Sequence, residues 1–243
     1  MRWLLTINKK IMAVNVDTVY QRVLAIANKE QRGYITPQEF NLFANQAQMD
    51  IFEQYFYDLD QFMKVPGNDS TYADMIDIIK EKIDIFERFR QDVSMGSGGV
   101  GTLPLHYRMG ELYYLCDGNY REVEKINQND LHHIINSPLI APVASRPIFI
   151  HTGERSIQVY PTTITSGVTC NLITTPATVE WAYTTVLSEA LYNANTSVNF
   201  ELHASEESEL VIKILELAGI TIKDPQLYPI AAQEEAQNVQ QEQ

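Results

Sequence analysis

The apolar residues of this chain change period once, at Met95-Gly96-Ser97-Gly98-Gly99-Val100-Gly101. Before that run they recur at helical spacing. After it they alternate, with turn residues at short intervals. A chain whose two periods are sorted into separate blocks builds an α+β fold rather than a doubly wound sheet.

The helical block has three segments. In the first, Val16, Val19, Val23 and Ile26 share a face, and Gly33 follows as a stop. The second opens on Thr36-Pro37-Gln38-Glu39, a capping box with proline at the first helical position. From there Phe40, Phe43, Ala47, Ile51, Tyr55, Leu59 and Phe62 form one stripe. Met49, Phe52 and Phe56 widen it until Pro66-Gly67-Asn68-Asp69 breaks the pattern. The third helix is expected from Ser70 to Gln91, with Met75, Ile79, Ile83 and Phe86 inward and Ile78, Ile85 and Phe89 flanking. Short connections predict an antiparallel N-terminal helical bundle over residues 13–94. Residues 95–103 read as a Gly-rich linker. Residues 1–12 read as a disordered leader, with Met12 a possible alternative start.

Residues 104–203 read as a β-rich middle with hairpins. Asp117-Gly118-Asn119 and Gly153-Glu154 each separate two strand-like runs. Asn129–Asn136 suits a short helix. Val168–Thr174 alternates like a sheet strand, and Ser197–Leu202 reads as the last strand. Trp181–Val186 fits a strand, with a helix through Tyr192 as the alternative. A C-terminal helix at 204–223, with Leu210, Ile214 and Leu217 on one face and Gly219 as its stop, is expected to pack on the bundle. Residues 224–243, rich in Gln and Glu, are either a solvated tail or an extended arm that needs a partner to order it.

Chemical motifs are sparse. Gly96–Gly101 matches a dinucleotide fingerprint in letters only, since it follows a helix and Pro104 opposes the helix that should come next. His106, His132, His133, His151 and His203 show no metal-binding spacing, and Cys116 and Cys170 form no CxxC pair. No nucleophile elbow is present. The expectation is no enzyme, no cofactor and no metal. A hydrolase or nuclease site assembled by the fold around His132, His133 or His151 is the alternative. The 31 acidic against 18 basic residues, net −13, argue against a general DNA- or membrane-binding surface. No apolar run approaches a membrane span.

The order of segments resembles a known family. The matching stretches are Val19-Tyr20-Gln21-Arg22-Val23-Leu24, Ile35-Thr36-Pro37-Gln38-Glu39-Phe40-Asn41, Leu139-Ile140-Ala141-Pro142, Ile157-Gln158-Val159-Tyr160-Pro161, Val168–Pro176, Trp181-Ala182-Tyr183, Phe200-Glu201-Leu202, Ala218-Gly219-Ile220 and Asp224-Pro225. Together, over about residues 13–240, they resemble head-to-tail connector (adaptor, neck ring) proteins of tailed phages, short-tailed and crAss-like ones in particular. The resemblance implies a structural virion protein in a ring of about twelve copies at the portal/tail junction. Its partners would be copies of itself, the portal, and tail or further neck proteins, and the genomic DNA would pass without sequence-specific binding. A tail hub or tube component is the alternative within virions. The candidate contact residues are Asp224, Leu227, Tyr228 and Ile230 on the arm, together with Tyr113 and Tyr160, which are read from residue type alone because tyrosine offers apolar area with a polar tip, a core or sheet-face place being the alternative for each. An acidic channel wall would repel DNA phosphates and let the genome slide.

Overall fold

The computed structural model describes residues 14–29, 35–64, 70–187 and 189–221. It contains both helices and strands, with the strands concentrated in the middle of the chain. Two compact units result, one from residues up to Ile85 together with those from Pro176 onward, the other from Phe86–Thr175. The expected leader and the expected arm, with Asp224, Leu227, Tyr228 and Ile230, lie outside the described residues, as do the stop at Gly33 and the break at 66–69.

In the helical unit, α1 (Val16–Lys29) starts where Asn15 Oδ1 accepts from the Asp17 and Thr18 amides at 2.8 and 3.1 Å. Val16, Val19 and Val23 are buried, but Ile26 is 40% exposed, and Tyr20 and Ala27 fill the inner face instead. α2 (Pro37–Lys64) begins on the capping box read from sequence. The Thr36 amide donates to Glu39 Oε2 at 2.9 Å and the Glu39 amide to Thr36 Oγ1 at 3.3 Å. The Thr36 hydroxyl also donates to Glu39 Oε2 at 2.7 Å, and this bond first and the Thr36 amide second hold the Glu39 carboxyl below its ordinary range. α2 buries Phe40, Ala44, Ala47, Ile51, Phe52 and Tyr55, and it packs on α3 (Ser70–Ile83) and on α5 (Glu207–Thr221), which also packs on α1. Gly219 sits within α5 rather than ending it.

One face of α2 does work that periodicity does not reveal. Asn41, Asn45 and Gln48 stand at successive helical steps and use their side-chain amides as a strand edge. Asn41 takes the Trp181 amide at 2.8 Å and returns a bond to the Trp181 carbonyl at 3.3 Å. Asn45 does the same for Val179, both at 2.8 Å. Gln48 donates to the Ala177 carbonyl at 2.8 Å and accepts from the Glu201 amide at 3.1 Å. Alternate residues of an extended chain lie about 6.6 Å apart and residues four apart on a helix about 6 Å, so the two ladders nearly match. This extended segment ends in Trp181, buried against Tyr20 at 4.4 Å, with its indole Nε1 donating to Asp17 Oδ1 at 2.9 Å. Tyr183 and Tyr192 stack near its plane at 5.9 and 5.6 Å, at the base of a hairpin of β9 (Tyr183–Val186) and β10 (Glu189–Tyr192). The expected strand at 197–202 reduces to a single bridge, Glu180 with Val198. Residues 176–203 therefore group with the helices, not with the β-rich middle.

The middle unit starts earlier than the sequence reading placed it. The third helix stops at Ile83, and β1 (Glu87–Asp92) follows as a strand. The expected Gly-rich linker at 95–103 is also part of the sheet: β2 (Ser94–Met95), a 3-10 turn at Ser97–Gly99, and β3 (Val100–Thr102). The glycines there are steric. A Cβ on Gly99, whose φ is 79°, would lie 2.4 Å from the Val159 carbonyl oxygen. The remaining strands are β4 (Arg108–Cys116), β5 (Asn119–Lys125), β6 (Ile148–His151), β7 (Ser156–Tyr160) and β8 (Val168–Ile173), with α4 (Leu131–Ile135) in the long connection. Both hairpins, β4–β5 and β6–β7, turn where the sequence placed them.

The strand order is β1-β8-β4-β5-β6-β7-β3-β2. Only Val93 separates β1 from β2, and its amide donates to the Val168 carbonyl at 3.0 Å. The two ends of that order are thus one bent strand, and the sheet closes into a small barrel. Closure removes most free edges. The interior holds Val93, Leu103, Leu112, Val123, Phe149, Ile157, Val159, Ile164, Val168, Cys170 and Leu172. Thr174 donates to the Phe86 carbonyl at 3.0 Å, so the chain enters and leaves the barrel side by side.

Candidate functional site

The histidines and cysteines take separate places. Among the described residues, no three His, Cys, Asp or Glu side chains gather to hold a metal. His106 Nδ1 lies 2.8 Å from the Pro104 carbonyl, and His203 accepts from the Ser205 amide at 3.3 Å before α5. His132 and His133 stand exposed on the single turn of α4. His151 packs edge-on to Phe149, and burial, then Lys125 and His106, hold its imidazole below the ordinary value. Cys170 faces the barrel core, where burial first and Asp92 second push its thiol up to about 11, too high for a nucleophile at neutral pH.

The surfaces are more distinctive. β1 bulges between Arg88 and Gln91, placing Arg90 at a φ of 52° with its amide donating to Asn171 Oδ1 at 3.1 Å. The bulge turns Phe89 out, 66% exposed, and lays the Arg90 guanidinium 3.9 Å from the Tyr120 ring centre and 4.8 Å from that of Phe89. Beside Phe89 lies a hollow of about 290 Å³, lined by Glu87, Gly110, Glu111, Asn171 and Ile173 among others. Tyr113 belongs to the same outer surface. It stands opposite Glu122 on β5 and Thr169 on β8, on the side away from buried Leu112. Its hydroxyl donates to Glu111, which raises the phenol above its ordinary value. Exposed Leu115 and Tyr120 pair across β4 and β5. Arg, Tyr and Phe side by side are the residue types enriched at protein contacts.

Tyr160 is elsewhere. It closes β7 and packs with Leu131, Ile148 and Ile150 in a small cluster under α4. The structure therefore does not bring Tyr113 and Tyr160 together, and the residues it gathers around the Tyr113 face are Tyr120, Phe89 and Arg90. No sequence signal sets the last two apart: Phe89 continues the helical spacing of α3, and the run Glu87-Arg88-Phe89-Arg90 carries no apolar alternation.

The helical unit offers a groove of about 230 Å³ between α2, α3 and the start of α5. Lys82 crosses it to Glu206 at 2.8 Å, over the ring of Tyr55. Burial pushes the Glu206 carboxyl up, but the hydrogen bond and charge of Lys82 outweigh it and hold the group below the usual carboxylate range. The Tyr55 hydroxyl, buried and without a hydrogen-bond partner, is driven up by burial and then by Glu206 and Glu209. The β9–β10 hairpin carries Leu187, 95% exposed, just after β9.

Among the described residues no helix is long and apolar enough to cross a membrane. Compared with known proteins, the chain matches no protein-family model and no curated protein.

Proposed function

We propose that this chain is a structural virion protein, a connector that joins the capsid portal to the tail as a ring and lines the channel through which DNA leaves. The reading begins from the segment resemblance spread over about residues 13–240. The observation that supports it most is the exposed surface of the barrel where Arg90, Phe89 and Tyr120 cluster beside Tyr113, residue types enriched at protein contacts. Aromatic side chains bring a large contact area with few rotatable bonds, and a guanidinium already lying over aromatic rings is partly placed before docking. The helical unit plays the part of the bundle expected of such proteins, and residues 224–243 the part of the arm that reaches the portal.

The test is composition and position in the particle. Purified phage particles should contain the chain at a copy number fitting one ring, and cryo-electron microscopy should place it between portal and tail. Absence from particles would remove the proposal. Deletion of Asp224–Gln243 should leave the folded chain intact and weaken its binding to portal; unchanged binding would remove the arm from the account.

A further inference from the structure

The groove of the helical unit has an apolar floor, an acidic edge and an unmet polar group. Ile51, Tyr55 and Ile79 are buried at its base, Phe62 and Met75 are half-buried, and Ile78 is 50% exposed, so apolar surface stands open to solvent. Asp58, Glu206 and Glu209 mark the edge. Lys82, committed to Glu206, is the single cation that lines the groove among the described residues. The Tyr55 side chain is 5% exposed, and its hydroxyl has no hydrogen-bond partner among the described residues. A buried hydroxyl is ordinarily paired, so this hollow lacks a donor or acceptor that belongs in it. At about 230 Å³ it is smaller than the roughly 300–1,000 Å³ of small-molecule sites, and it suits one or two large side chains.

The two ends of the chain differ in their fitness to fill it. Residues 1–13 carry Arg2, Lys9 and Lys10 and no acid, net +3, with Trp3, Leu4, Leu5 and Ile7 between the charges. Residues 222–243 carry one base and four acids, net −3. The three helices that frame the groove, α2, α3 and α5, carry eleven acids and four bases, net −7. They attract the first stretch and repel the second. The first stretch also reaches. The Phe200 amide donates to the Val14 carbonyl at 3.2 Å, and Phe200 stands six residues before Glu206 on the groove's edge, no more than about 22 Å of chain. Thirteen extended residues span about 43 Å.

We infer that residues 1–13 lie in the groove of their own chain, with Trp3, Leu4 and Leu5 on its apolar floor and Lys9 and Lys10 at its acidic edge. The apolar run covers Phe62, Met75 and Ile78, and a main-chain or indole group of that run pairs with the Tyr55 hydroxyl. The segment is then a built-in strap. It ties α2, α3 and α5 together and fills the groove against any other amphipathic partner. The contact stands apart from the connector reading, and either can fail without the other.

The experiment is carbodiimide cross-linking of the full chain with peptide mapping of the monomer, and hydrogen exchange as a second readout. Lys9 or Lys10 should be linked to Asp58 or Glu209, beside a Lys64–Asp60 link that the exposed pair on α2 supplies as an internal control. Amides at residues 5–11 should exchange roughly tenfold or more slowly than in the triple variant Arg2→Glu, Lys9→Glu, Lys10→Glu, and high salt should narrow that gap. Trp3→Ser with Leu4→Ser should remove the protection as well, which a contact made by charge alone would not show. Tyr55→Phe keeps the ring and should speed exchange of the segment about fivefold. Circular dichroism checks that each variant is folded, and the wild-type measurements need no variant. The control link without any link from Lys9 or Lys10 to the groove acids would overturn the contact. So would links scattered over acids throughout the chain, or amides at 5–11 that exchange as fast as those of an unstructured peptide. Links confined to cross-linked dimers would put the segment in a neighbour's groove and overturn the same-chain placement.

Discussion

The barrel and the helical unit solve the same problem, an extended chain with unpaired backbone groups, in different ways. In the barrel each strand pairs with strands, and the bent β1–β2 strand joins the two ends of the sheet. In the helical unit the extended segment 177–181 makes one backbone bridge, Glu180 with Val198, and on its other edge the amides of Asn41, Asn45 and Gln48 stand in for a strand. The first solution uses backbone alone and tolerates many sequences. The second depends on three particular side chains. The units should therefore fail under different substitutions.

The largest expected break is in the barrel. Gly99→Val adds a side chain where a Cβ would lie 2.4 Å from the Val159 carbonyl, at a φ of 79°. It should cost about 4 kcal/mol and lower the barrel's unfolding transition while leaving that of the helical unit in place. Differential scanning calorimetry reads this directly, and a uniform drop of both transitions would show that the units are not independently stable.

Lys82→Met strikes the helical unit. It leaves the carboxylate of Glu206, 4% exposed, without its cation and should cost about 3 kcal/mol. The same pair predicts a pH dependence. Glu206 is depressed in the folded state, so its contribution is present above its unfolded value near about 4.3 and is lost as pH falls below it. Thermal midpoints of wild type measured from neutral pH down into that range should fall more steeply than those of Glu206→Gln.

Gln48→Leu removes one rung of the amide ladder and orphans the Ala177 carbonyl and Glu201 amide, at a cost of about 2 kcal/mol. Hydrogen exchange should rise at residues 177–181 and 201 and stay unchanged in the barrel. The smallest effect belongs to the α2 start: Thr36→Ala should cost about 1 kcal/mol, read as a shift in chemical denaturation of the helical unit. A barrel that weakened equally under either substitution would erase the contrast between the units.

What the sequence shows follows the same divide. The capping box at Thr36 and both hairpin turns were legible because their chemistry is local. The end of α3 was not: Ile83, Phe86 and Phe89 keep helical spacing past the point where the chain turns, and every residue of β1 is exposed, so neither face of that strand carries a burial pattern. Barrel closure was not legible either, since it depends on Val93 bending one strand and on the parallel pairing of β5 with β6 across a long connection. The glycines at 96–101 look like a flexible tether in composition, whereas the missing Cβ of Gly99 is what lets the 3-10 turn lie against β7. Of the candidate contact residues, Tyr113 stands on the exposed face and Tyr160 is spent on a small core. Arg90 became visible only through the bulge that aims it.

The bond between Thr174 and Phe86 has a consequence for descent as well as for folding. A module whose two ends meet can be lengthened, exchanged or removed while its host needs only a short turn to heal the gap, because closing so small a loop costs little entropy. The helical unit can then stay constant while the inserted barrel changes to suit a different neighbour.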